Sequence, residues 1–247
     1  MINDINKLLF LDIETVGIEE DLDSLHSEFP NLYKLWEETG YEYCKRRYPK
    51  EDSLSSNEMF IKKAALLPEF GKIVCVSVGF ILQNGELKLD SYVGDEKEIL
   101  SHTITLFNRI NKLGFRLCGH NIKSFDLPYI GKKILIHGLD LPNIIPTYAD
   151  KPWETRVVDT KEVWNFNSYI GLSSLDLVCA SLNVDSPKSG ELNGEKMHHY
   201  YYDWPEGKEE SLGIKRDDNI KEYCEKDVIA TINLVKHITK WKKITKK

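Results

Sequence analysis

The run Leu8-Leu-Phe-Leu11, closed by Asp12, constrains this chain more than any other stretch. Consecutive apolar residues with no polar partner at alternate positions describe a short strand buried on both faces, and such a strand belongs inside a layered sheet. It is therefore read as central. Ile73 to Leu82 is rich in β-branched residues, Asn84-Gly85 is a hairpin signal and Leu87 to Val93 alternates, so strands two and three should pair antiparallel. Asp95 to Leu113 places Ile99, Leu100, Ile104, Phe107 and Ile110 at helical spacing before Gly114 ends the pattern. A short strand over Phe115–Cys118, a helix over Phe125–Ile136 and a strand over Arg156–Asp159 follow. Ser173-Ser-Leu-Asp176 reads as a capping box for a helix reaching about Leu182. The last helix starts near Asp217 or Asp218 and keeps Cys224, Val228, Ile232, Val235 and Ile238 on one stripe. That order describes an α/β domain with a central mixed β-sheet flanked by helices.

Two segments stand outside the pattern. Residues 18–70 carry Phe29, Tyr33, Trp36, Tyr41, Tyr43 and Tyr48 beside Lys45-Arg-Arg47, and read as an aromatic-rich, helical insertion. Residues 183–216 are polar except for His198-His-Tyr-Tyr-Tyr-Asp-Trp204, and read as a flexible segment. Either can be a functional flap or can simply pack its aromatics on the main body. The chain of 247 residues is taken as one domain. The tail Lys240–Lys247 reads as a solvated helix end.

Composition narrows the classes. With 33 Lys and Arg against 39 Asp and Glu, the formal charge is −6, so binding of polyanions by bulk charge is excluded. Affinity for nucleic acid has to be local or carried by metal ions. The 5 cysteines are widely spaced with no C-x-x-C pair, which argues against a disulfide framework or a thiolate zinc site and fits a cytoplasmic location. No run approaches the roughly 18 apolar residues of a membrane span, and the first residues lack a signal-peptide pattern.

The acidic residues carry the chemistry. In Asp12-Ile-Glu14 the period of two sets both carboxylates on one side of the strand, where they repel unless a divalent cation neutralises them. A solvated strand end is the ordinary alternative. Tyr223 and Asp227 share a helical face about 100° from the apolar stripe; a packed ring and a surface charge would give the same pattern. In Asn121-Ile-Lys-Ser-Phe-Asp126 a turn leads into a helix, where Asp126 can equally be first-turn dipole compensation.

Taken together, Phe10-Leu-Asp-Ile-Glu-Thr15, Gly119-His-Asn-Ile-Lys-Ser-Phe-Asp126 and Tyr223-Cys-Glu-Lys-Asp-Val228 occur in a known order. The sequence resembles the DnaQ-like DEDDy branch of the 3'-5' exonucleases, on the ribonuclease H-like fold. It is most similar to the proofreading exonuclease domain of family-B DNA polymerases. Lys72-Ile-Val-Cys-Val-Ser77 also matches that family's second strand, so the resemblance runs from strand one to the last helix. It implies two divalent metal ions, Mg²⁺ or Mn²⁺. Asp12, Glu14 and Asp227 would hold one, Asp12 would bridge to the second, and Asp126 would support that second site. It also implies that Tyr223 orients the attacking water, and that the backbone at Thr15, together with Asn121 and Phe125, meets the terminal nucleotide. The expected substrate is the 3' end of single-stranded DNA, released as 5'-mononucleotides; RNA is the alternative substrate, and a catalytically silent nucleic-acid-binding domain the alternative class. A polymerase or repair partner is left open, and no polymerase domain follows.

Competing motifs are weaker. Histidines His198-His199 have no H-x-x-x-H or Cys companion, and His120 reads as a structural hydrogen-bonder. Asp12-x-Glu14 after an apolar strand also resembles the nucleophilic aspartate motif of haloacid-dehalogenase-like enzymes, but that family has Asp where Glu14 stands. Lys45-Arg-Arg47 reads as a solvated charge run.

Overall fold

The computed structural model describes residues 4–151, 154–166, 168, 173–185, 192, 194, 196–205 and 215–240. Its centre is a five-stranded mixed sheet in the order β3-β2-β1-β4-β5. The strands are β1 (Leu8–Gly17), β2 (Gly71–Ile81), β3 (Leu87–Val93), β4 (Arg116–Gly119) and β5 (Val157–Asp159). β1 runs antiparallel to β2 and parallel to β4, so it occupies the middle position its apolar run demands. β3 pairs antiparallel with β2 through the Asn84-Gly85 turn, where Gly85 adopts φ 86°. Its lack of a Cβ makes that left-handed backbone accessible.

β1 is longer than its apolar run suggests. The pairing with β2 continues to Gly17 opposite Gly71, so Asp12 and Glu14 lie within the strand and not at its end. Pairing with β4 stops at Phe10 and Cys118, leaving the second half of β1 overhanging its parallel neighbour. That overhang is why acidic residues are tolerated inside a central strand. A bulge between Glu14 and Thr15 shifts the register just beyond the acidic pair.

The helices, in chain order, are α1 (Leu22–Glu28), α2 (Pro30–Leu35), α3 (Tyr41–Arg47), α4 (Ser56–Lys63), α5 (Glu96–Lys112), α6 (Asp126–Ile136), α7 (Thr160–Asn165), α8 (Leu175–Ser181), α9 (Met197–Tyr202) and α10 (Arg216–Ile238). Leu9, Leu11 and Ile13 of β1 face one layer with Ile99, Phe107, Ile130 and Ile134 of α5 and α6. Leu8 and Phe10 face the other, where Val228, Ile232 and Val235 of α10 cover them, and Val16 on that side packs with Ile220, Tyr223 and Cys224 of the same helix. By alternation Asp12 and Glu14 point to the α10 side. The expected stripe Cys224, Val228, Ile232, Val235 and Ile238 is buried throughout. Gly79 of β2 lets α10 come close, since a Cβ there would stand 2.9 Å from Val228 Cγ1.

Helix α8 starts one residue later than the capping-box pattern implies: Ser174, not Ser173, is the N-cap, and its hydroxyl accepts the Leu177 N–H. The third helical position is then a leucine, so no reciprocal box forms. Residues 18–70 fold as α1 to α4 around their own core of Leu25, Trp36, Met59 and Phe60. α4 carries a complete capping box between Ser55 and Glu58. Lys45 is half-buried and pairs at 3.3 Å with the exposed Glu42. Within 183–216 the aromatic stretch forms α9; residues 186–191, 193, 195 and 206–214 lie outside the described part, as does the tail 241–247. Among the described residues, no helix is long and apolar enough to cross a membrane.

Candidate active site

The overhanging half of β1 meets the ends of three other elements. Asp12 and Glu14 come from β1, Asp126 is the first residue of α6, and Tyr223 and Asp227 come from one face of α10. Tyr223, Glu14 and Asp126 are buried, and Asp12 and Asp227 are half-buried. Asp12 lies within electrostatic reach of the other four residues singled out by the motifs. Burial, then the charges of Asp126, Asp227 and Glu14, push the Asp12 carboxyl well above its usual range. Burial likewise pushes Asp126 up to about 7, with Asp159 and Asp227 adding to it. Hydrogen bonds from the N–H groups of Asp126 and Ile13 oppose that rise. The Ile13 N–H is available because β4 has already ended beside β1. Tyr223 is also raised, first by burial and then by Glu14, Asp227 and Asp12, so its phenol keeps its proton.

Cys224 completes the floor of the site. Ligand atoms of Asp12, Glu14 and Cys224 lie within 4.8 Å of one another. The thiol is fully buried and raised well above its ordinary value, chiefly by burial, so it acts as a neutral donor and not as a thiolate ligand. It donates toward the Asp12 carbonyl at 3.4 Å and Asp12 Oδ2 at 3.5 Å.

The residues assigned to substrate contact are placed less uniformly. The Thr15 hydroxyl donates to the Ala65 carbonyl at 2.8 Å, which ties the 18–70 helices to the acidic strand. Phe125 is half-buried and tilted against Tyr129, with ring centroids 5.5 Å apart. Asn121 has φ 68°, a left-handed conformation that asparagine tolerates better than most residues. What holds it there is Asp159, at the end of β5 and buried. One Asp159 oxygen accepts the Asn121 N–H at 2.9 Å, and the other accepts the Lys123 N–H at 3.1 Å.

Neither histidine site is catalytic in form. His120 is held between Thr160 Oγ1 at 2.9 Å and the Ser173 carbonyl at 2.6 Å. His198 Nδ1 accepts the Gly17 N–H at 3.1 Å, so Nε2 carries the proton and donates to the Glu20 carbonyl at 2.7 Å. Both rings are structural pins. The motifs leave Asp159 and Cys224 unmarked. For Asp159 the only signal in the sequence is another apolar run closed by an acid, Val157-Val-Asp159, while Cys224 has the pattern of one more core position.

The donor set fits hard divalent cations. Several carboxylates held together against mutual repulsion are the ordinary chemistry of a Mg²⁺ or Mn²⁺ site, and that repulsion adds to burial in raising Asp12 and Asp126.

The sequence profile of the RNase_H superfamily matches residues 63–239, well over half of the chain. The chain belongs to the RNase_H superfamily. No curated protein sequence matches it. Among solved structures, the family B DNA polymerase of the hyperthermophilic archaeon Pyrobaculum calidifontis superimposes with a TM-score of 0.54 at 15% identity. The match covers 94% of this chain and 24% of the polymerase. E. coli exonuclease I in a zinc-bound complex with single-stranded DNA gives 0.39 at 12% identity, covering 96% of this chain and 42% of that one. The same enzyme with a dT13 oligonucleotide gives 0.37 at 12%, covering 94% and 40%. The chain thus spans a quarter to two-fifths of these larger proteins. The polymerase superposition shows a shared α/β fold.

Proposed function

We propose that this chain is a single DEDDy-type 3'-5' exonuclease domain, acting in the cytoplasm on single-stranded DNA ends and releasing nucleoside 5'-monophosphates. The observation that carries the reading is the convergence of Asp12, Glu14, Asp126 and Asp227 with Tyr223, from three distant stretches, in one mutually repelling cluster. Asp12, Glu14 and Asp227 are the residues to hold one divalent ion, and Asp12 with Asp126 a second. Bound there, the ions supply positive charge to the phosphate and to the attacking and leaving oxygens.

The chain's own groups do the rest. Tyr223, protonated at neutral pH, offers its hydroxyl as a hydrogen-bond partner to the attacking water. Water adds through oxygen to the terminal phosphorus, and the bond to the preceding 3'-oxygen breaks. That oxygen takes up a proton to become the new 3'-hydroxyl. Asn121, Phe125 and the Thr15 backbone meet the terminal nucleotide, with Phe125 offering a ring face for base stacking. The acidic overall charge is compatible with this role because the phosphate contact is made through cations held locally.

The test is digestion of 5'-labelled and 3'-labelled single-stranded DNA and RNA with Mg²⁺, wild type against Asp12→Ala. Ladders shortening from the 3' end of DNA support the reading, and faster digestion of RNA would reassign the substrate. Circular single-stranded DNA should survive; its degradation by protein free of contaminating nuclease would sink the exonuclease assignment.

A further inference from the structure

The segment Asp159-Thr160-Lys161 grips the turn Gly119–Lys123 at every step. Gly119 pairs with Asp159 across β4 and β5, and Thr160 Oγ1 lies 3.2 Å from the Gly119 carbonyl. Asp159 takes the N–H groups of Asn121, Lys123 and Lys161. With three backbone donors on it, this buried carboxylate is committed to holding the chain. Lys161 then reaches back, its Nζ 3.1 Å from Asn121 Oδ1.

That last contact fixes the asparagine's polarity. An ammonium group can only donate, so the amide must present its oxygen to Lys161. The Nδ2 group, with two N–H donors, is thereby turned to the opposite side. The geometry points to Asp159 and Lys161 as positioning residues that preset Asn121 as a donor to oxygen acceptors of the bound terminal nucleotide. This rests on the exonuclease reading given above and adds to it residues outside the carboxylate set. Asp159 holds the backbone of Asn121 in its left-handed conformation, and Lys161 selects the amide face. Neither touches the reacting atoms.

An alternative role for Lys161 is direct contact with a phosphate, and the two roles separate in a double-mutant cycle. Initial rates on 5'-labelled single-stranded DNA are measured for wild type, Lys161→Met, Asn121→Ala and the double variant. If Lys161 acts through Asn121, Lys161→Met raises KM about 5-fold to 10-fold, in keeping with the loss of one oriented hydrogen bond, and changes kcat less than about 2-fold. In the Asn121→Ala background it then adds nothing. The salt dependence of binding stays as in wild type, whereas loss of a phosphate contact lowers the slope by about one ion. Additive effects, or a reduced slope, would overturn the inference. Asp159→Asn should shift KM in the same direction and further; if that variant does not fold, the lysine cycle still decides. Wild-type protein that fails to shorten the DNA from its 3' end would sink the exonuclease reading itself, whereas an active wild type with an additive cycle would remove only the positioning role.

Discussion

Cys224 Sγ lies 3.5 Å from Asp12 Oδ2 and 3.4 Å from the Asp12 carbonyl, so the helix carrying Tyr223 and Asp227 is fastened to the acidic strand at the residue expected to serve both ions. A neutral thiol at that position orients the carboxylate without competing for cations. Its hydrogen bond lowers the pKa of that carboxyl, against burial and three other acids that raise it.

Replacing Cys224 with alanine should therefore raise the Mg²⁺ concentration at half-maximal activity by about 10-fold, the lower end for removing a group that orients a metal ligand. Cys224→Ser should stay close to wild type. A Mg²⁺ titration of exonuclease rate reads this directly, and identical curves for alanine and wild type would remove the thiol from the site.

Asp12→Ala should abolish cleavage while leaving the fold intact. Removing one of several like charges relieves repulsion, so the melting temperature in chelator should stay level or rise. Full activity in the purified variant would refute the site.

Tyr223→Phe removes a hydroxyl and little else. Loss of one hydrogen bond made to charged or reacting groups is worth about 1.5 to 3 kcal/mol, or roughly 10-fold to 100-fold in turnover. KM should change little, because the interaction belongs to the transition state. An unchanged kcat with a raised KM would reassign Tyr223 to substrate binding.

The raised carboxyls give a pH signature. Asp126 titrates at about 7 in the folded chain against an ordinary 3.8. Below both values folded and unfolded chains are equally protonated. Between them only the unfolded chain has lost its proton, so metal-free stability falls as pH rises through about 4 to 7 and levels off above. Asp12 acts in the same direction. The melting temperature in chelator should drop between pH 5 and pH 7.5, and Asp126→Asn should flatten that drop. Added Mg²⁺ should stabilise more at the higher pH, where its ligands are ionised. Equal pH slopes for wild type and Asp126→Asn would contradict the assignment.

Gly79→Ala tests how tightly the site depends on α10. The new methyl would press on Val228, Leu89 and Ile232, with Val228 the immediate neighbour of Asp227. Overpacking of this kind costs about 1 to 3 kcal/mol. The exonuclease rate should fall more than thermal stability does; lowered stability with full activity would show that α10 yields without moving the carboxylate.

The sequence carried much of this organisation because the informative residues obey local rules. Leu8–Leu11 announces a central strand, Asn84-Gly85 a hairpin, and the Cys224-to-Ile238 stripe a helix lying on the sheet. The extent of β1 was not legible, because its second half is a strand through pairing with β2, down to Gly17 opposite Gly71, and that is a matter of pairing between segments far apart in the chain. Asp159 was hidden for a related reason. Its partners are backbone N–H groups of a distant turn, and such groups leave no mark on residue type. Thr15 adds a contact the motif does not describe: the resemblance assigns its backbone to the substrate, and its hydroxyl is engaged by the Ala65 carbonyl of the insertion.

The placement of the carboxylates along the chain also bears on how such a protein is made. Asp12 and Glu14 emerge from the ribosome first, Asp126 near the middle, and Asp227 only with the helix that closes the other face of the sheet. A nascent chain therefore passes most of its synthesis beside messenger RNA with an incomplete set of acids. On the exonuclease reading proposed above, the acid set is complete only when α10 docks on β1 and β2 and brings Tyr223 and Asp227 with it.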